Sequence, residues 1–161
     1  MVTDKPITMA SENKATSIRT MPGCTIIPVL YYMDIKQAIT WLCETLGFKE
    51  RWRIGNHRAQ LVFDGGVIAV SEWGSDKSGS HKKEDTDGAA KHSLLVRVKD
   101  VYAHYETAQQ KGADIIQAPT DFFFGERQYT VLDCGGHVWT FSQTINDLAP
   151  EEWGATSNLD S

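Results

Sequence analysis

Apolar and polar positions along this chain pass through the same succession of periods twice. Residues 24–32 are rich in β-branched and aromatic side chains and read as a strand, with Pro28 marking an edge, a bulge or a strand end. Asp34 then caps a helix in which Ile35, Ile39, Leu42 and Leu46 recur at helical spacing, and Gly47 is placed to stop it. Three short strands follow over 48–54, 57–63 and 67–73, separated by Gly55-Asn56 and by Asp64-Gly65-Gly66, both hairpin-turn chemistry. This half reads β-α-β-β-β.

The second half repeats the order. A strand over 93–98 leads to Asp100 as cap and to a helix with Val101, Tyr105 and Ala108 inward before Gly112, at the same offsets from the capping Asp. A strand over 113–118, stopped by Pro119, and strands over 127–132 and 137–143 complete it, after a Phe122-Phe123-Phe124-Gly125 segment. Asp34 and Asp100 are 66 residues apart and Gly66 and Gly136 are 70 apart, so one insertion before Arg127 accounts for the difference. In the closing stretch, Asp133 and two glycines form a turn. Alternation beyond it puts Val138 and Thr140 on one face and His137, Trp139 and Phe141 on the other.

Composition narrows the class. The chain has 161 residues and a net charge of −5 from 16 basic and 21 acidic side chains, without a Lys/Arg cluster among aromatics, which argues against a nucleic-acid partner. No apolar run approaches the roughly 20 residues that a membrane span requires. Cys24, Cys43 and Cys134 lie far apart without a C-x-x-C pair, so a reduced, cytoplasmic protein is expected. Residues 1–22 read as a disordered leader, 74–90 as a polar connector between modules at 23–73 and 91–143, and 144–161 as a tail.

Two tandem β-α-β-β-β modules, the second closed by D-x-x-G-H-x-W-x-F at Asp133 to Phe141, resemble the vicinal oxygen chelate superfamily of glyoxalase I, ring-cleaving dioxygenases and bleomycin resistance proteins. Gly125-Glu126-Arg127 followed by Asp133, Gly136, His137 and Trp139 is similar to its PhnB-like branch, with Cys134 and Gly135 replacing the branch's usual Pro and aromatic residue. The resemblance implies an α+β fold whose strands curl into an open cup of mixed sheet, and a homodimer. In the metal enzymes it also implies four side chains holding one divalent ion. Carried over by the repeat, those positions are Ile27 and Ser93, seven residues before each capping Asp, and Val70 and Thr140, four after each second glycine. None is His, Glu or Gln, the side chains such an ion needs. A slip of one residue in either strand would flip the faces. His92 would then enter, and Glu72, on the face of Val70, is the best remaining carboxylate.

Other residues carry weaker chemistry. Trp139 and Phe141 suit core more than ligand stacking, and His137 suits a turn. Arg127 and Glu126 border the Phe-rich loop with Phe124, where an Arg suits an anionic or flat ligand or a surface ion pair, and Trp52 is placed to line the cup. Cys134 lacks a third orienting group, and no G-x-S-x-G, P-loop or G-x-G-x-x-G occurs. The expectation is a protein binding a small organic molecule, an antibiotic or other planar compound, with no metal or cofactor. Its groove would use Ile27, Trp52, Val70, Glu72, Ser93, Phe124, Arg127 and Thr140. The competing readings are a metal-dependent isomerase, lyase or dioxygenase using His92 and Glu72, and a protein-interaction module with an apolar outer patch.

Overall fold

The computed structural model describes residues 21–74 and 92–158. Strand β1 (Val29–Tyr32) leads into helix α1 (Ile35–Leu46), and β2 (Lys49–Ile54), β3 (Arg58–Phe63) and β4 (Gly66–Glu72) complete the first module. The second comprises β5 (Leu94–Arg97), α2 (Val101–Gln110), β6 (Asp114–Asp121), β7 (Glu126–Leu132) and β8 (Val138–Thr144). The sheets run β1-β4-β3-β2 and β5-β8-β7-β6. In each, the first strand pairs parallel to the last and the other pairings are antiparallel, giving the α+β class that the repeated pattern predicts.

Both helices start as their sequences predict. Asp34 accepts a hydrogen bond from the Gln37 amide and Asp100 accepts one from the Ala103 amide, each at 3.0 Å, satisfying an N–H that has no partner within the first turn. At the far end of α1, Gly47 takes a φ of 84°, the left-handed conformation in which a side chain is strained. The apolar stripe of α1 is fully covered and joins Leu61, Ile68 and Val70 of the first sheet with Tyr129, Val131, Trp139 and Phe141 of the second in one core, with Val101 and Ala108 of α2. Phe48 meets Trp139 at 5.3 Å and Phe63 meets Phe141 at 6.3 Å between ring centres, so the modules share a core instead of each building its own.

Three local features differ from the expected pattern. β1 begins only at Val29, because Pro28 has no N–H to give to a ladder, although its carbonyl accepts from Ala69. β6 runs through Pro119 to Asp121; it is an edge strand with a register shift between Gln117 and Thr120, where a missing N–H breaks no central ladder. The two modules also close their last hairpins differently. Phe63 pairs with Gly66 across a two-residue turn, whereas Leu132 pairs with Val138 across five residues.

The polar leader and the connector lie outside the described residues, apart from Met21, Pro22 and Gly74. In the tail, Pro150–Trp153 forms a short 3-10 helix whose Trp153 ring packs 6.0 Å from Phe124. Among the described residues no helix is long and apolar enough to cross a membrane.

Candidate functional site

Each sheet turns one face to the shared core and the other, its open face, away from it; on the first sheet that second face is itself largely covered, with Ala69, Gln60 and Ser71 only 2%, 4% and 3% exposed. On β4 the core takes Ile68 and Val70, so alternation assigns Val67, Ala69 and Ser71 to the open face. Register carries that face across the first sheet as the rung Val29, Ala69, Gln60 and Trp52. In the second sheet Trp139 and Phe141 face the core, and the open rung is Leu95, Thr140, Thr130 and Gln117. The modules meet through their core sides.

Of the residues singled out from the sequence, Thr140 and Trp52 stand on open faces. The Thr140 and Thr130 hydroxyls hydrogen-bond across the strands at 3.0 Å. Val70 does not share that position: it is completely buried in the core, and the residue equivalent to Thr140 is Ala69. Counting four residues from the second glycine fails in the first module because its turn is shorter than that of the second, which shifts the strand by one residue and exchanges its faces. Glu72, in phase with Val70, hydrogen-bonds the His57 Nδ1 at 2.9 Å. Ile27, half-buried, and Ser93 and His92, both exposed, precede the first strands of their modules.

Arg127 and Phe124 are placed elsewhere. Arg127 alternates with Tyr129 and Val131 on the core side of β7, grips the Asp121 carboxylate with two bonds of 2.6 and 3.0 Å, and lies 4.7 Å above the Tyr102 ring. Its guanidinium holds the Asp121 carboxyl below its ordinary pKa. Phe124 stacks on Phe122 at 5.2 Å and packs against the tail. Gly125 beside it has no room for a side chain, since a Cβ would fall 2.0 Å from the Asn146 carbonyl oxygen.

The closing turn joins the modules. Asp133 is buried, and its Oδ2 accepts from the Tyr32 hydroxyl at 2.6 Å and from the Trp139 indole at 2.9 Å, while Oδ1 accepts the amides of Gly135 and His137. Burial, and then the Asp133 charge, push the Tyr32 hydroxyl far above its ordinary pKa, so it stays a donor. His137 donates from Nε2 to the Tyr31 carbonyl at 2.9 Å. Burial and Asp133 together push the Cys134 thiol up to about 11, the reverse of what an activated nucleophile requires. At the other end of the interface, His104 Nε2 donates to the Leu46 carbonyl at 2.8 Å, which leaves Nδ1 to accept from the Tyr129 hydroxyl at 2.5 Å. Desolvation lowers the His104 pKa.

The open faces do not suit a divalent ion. Val29, Ala69, Leu95 and Thr140 stand on their central rungs. Glu126, a carboxylate on the second face, has its two oxygens engaged by the Ser142 and Thr144 hydroxyls at 2.7 and 2.6 Å, and Gln128 extends the network by donating to Ser142. Among the described residues no three of His, Cys, Asp and Glu gather where they could hold a metal. Sequence reasoning gave no role to Arg51, Gln60, Ser71, Gln128 or Ser142. Gln60 and Ser71 carried a usable signal, each being a polar residue set into an apolar strand.

The model of the Glyoxalase/Bleomycin resistance protein/Dioxygenase superfamily matches residues 25–141. No protein with a curated description matches the chain. Among solved structures, TioX from Micromonospora sp. ML1 is 31% identical, with 76% of this chain and 100% of that one covered and a TM-score of 0.64. A glyoxalase/bleomycin resistance protein/dioxygenase family enzyme from Burkholderia phytofirmans PsJN is similar in fold at 17% identity, covering 73% of this chain and 95% of its own, with a TM-score of 0.64. A family member from Nocardioides is similar in fold at 15% identity, covering 81% of this chain and 89% of its own, with a TM-score of 0.61. With its repeated modules and a family match spanning both of them, the chain belongs to the glyoxalase/bleomycin resistance protein/dioxygenase superfamily.

Proposed function

We propose that this protein binds a small organic molecule, an antibiotic or another planar compound, without a catalytic metal. The observation that carries this reading is the make-up of the two open faces. Beside the cations Lys49, Arg51 and Arg58 on the first face and Glu126 on the second, their polar side chains include many amides and hydroxyls, several bonded to one another, interleaved with Trp52, Tyr31, Val29 and Leu95. Such a surface gains affinity from desolvation and orients a guest with a few hydrogen bonds, whereas a divalent ion needs several concentrated, deprotonated ligands. The inclusion of bleomycin resistance proteins in the family supports sequestration. Membership of the PhnB-like branch is the finer assignment that we infer from Gly125, Glu126, Arg127 and the closing motif.

The cup is completed by a second copy, in a cytoplasmic homodimer. The modules join through their core sides, so a partner would meet the opposite faces. On those faces Leu95 is 68% and Val29 38% exposed, on β5 and β1, the strands at one edge of each sheet. Metal-dependent turnover through His92 and Glu72 is disfavoured, because Glu72 is paired with His57 and lies in phase with the core side of β4. The test is elemental analysis of extensively dialysed protein, sedimentation to establish the oligomer, and tryptophan fluorescence against a panel of planar antibiotics. The reading expects a metal-free dimer and saturable quenching. A stoichiometric retained transition metal, or no response to any compound, would overturn it.

A further inference from the structure

We infer that the open face of the first sheet holds an oxyanion subsite, and that the ligand of the proposed binding function is a planar aromatic carboxylate; this rests on that function. Gln60 is only 4% exposed, yet one half of its amide is committed and the other is not. Its Oε1 accepts from the Arg51 guanidinium at 2.6 Å, so its NH2 is turned away from Arg51, and it has no hydrogen-bonding partner among the described residues. Ser71, 3% exposed on the same face of the adjacent strand, has a hydroxyl equally without one. Among the described residues no side-chain nitrogen or oxygen is both fully buried and without a partner, so these two donors still reach the surface, where a ligand oxygen can meet them.

Among the described residues of β1–β4, the charged side chains of this face have one sign. Lys49 and Arg58 pair with Val62 and Ser71 on open rungs, and the Gln60 bond brings Arg51 to the same side. Glu50 and Glu72 take the opposite phase, so no Asp or Glu occupies an open-face position of β1–β4 among the described residues. In a protein of net charge −5 this is a local reversal. Trp52 and Tyr31 supply flat apolar walls, with Trp52 directly across from Gln60 and Tyr31 directly across from Ser71. A carboxylate accepting from Gln60 and Ser71 beside Arg51, with its ring against Trp52, meets each of these features.

The test is calorimetric titration of the full-length protein with naphthoate and with naphthamide, its neutral counterpart. Wild type should bind naphthoate about tenfold more tightly or better, and added salt should erode that preference. Arg51→Met should erase the preference, bringing naphthoate down to the affinity the same variant shows for naphthamide. Gln60→Glu keeps the shape, replaces the donor by a repelling carboxylate, and should abolish naphthoate binding selectively. Equal binding of the two compounds by wild type, or a preference that survives in folded Arg51→Met, overturns the subsite. If neither naphthalene binds but a planar antibiotic does, the carboxylate assignment fails and the binding function stands. If nothing binds, both fail.

Discussion

At the scale of single residues, Asp133 is the side chain on which the joint between modules depends. Its two oxygens serve four donors, two of them side chains from opposite halves of the chain. Asp133→Asn retains one acceptor oxygen but turns an NH2 toward donors that cannot use it. The substitution should cost about 2–4 kcal/mol of stability in urea denaturation, and a loss below about 1 kcal/mol would show that the network matters little. In the sequence Asp133 is legible only as a turn former. Its partner Tyr32 lies 101 positions earlier, a separation over which local pattern carries no information. Gly135 is similar: a Cβ there would come within 2.5 Å of the Tyr32 ring, so the residue is held to glycine by a neighbour from the other module.

Among elements, helices were the most legible because what defines them is local. The spacing of apolar residues and the capping Asp lie within one or two turns, and both caps formed as read. Asp34→Ala and Asp100→Ala should each reduce stability by about 1 kcal/mol, measured by thermal melts of the two variants and of the double variant. The caps belong to different helices, so the losses should add; a loss in only one variant would mean that the repeat is not matched at its helix starts. Strands were harder to read. Their existence followed from alternation, but which face meets the core depended on turn length. Val70 shows the consequence: a turn of two residues in place of five turns it into the core while Thr140 stays outside. The sequence leaves Arg127 between an anionic or flat ligand and a surface ion pair, and its phase along β7 sends it to the Asp121 and Tyr102 side, where it forms the ion pair.

For the whole molecule, the decisive arrangement is core side against core side. His104 is part of it, its ring centre 4.0 Å from that of Phe141 and its Nε2 bonded to the end of α1. Burial lowers its folded-state pKa, so the unfolded chain takes up that proton first as pH falls. The stabilisation from neutral His104 is therefore fully present above its unfolded value, near 6.5, and is lost as pH falls through the lowered folded value. Melting temperature should fall on acidification from neutral pH toward about 5, and His104→Gln should flatten that dependence while lowering stability at neutral pH. An unchanged acid slope in the variant would remove His104 from the account.

The amino-acid sequence alone determined the duplication, the order of elements, both helix starts and the membership that these imply, since each is written in spacings of a few residues or in the repeat itself. Tertiary structure alone decided which strand faces are open, how the modules lock through Asp133 and His104, and that Arg51, Gln60 and Ser71 share one surface. The physical reason is that a strand's faces exchange with a shift of one residue, and only the packing of distant segments selects one of the two phases.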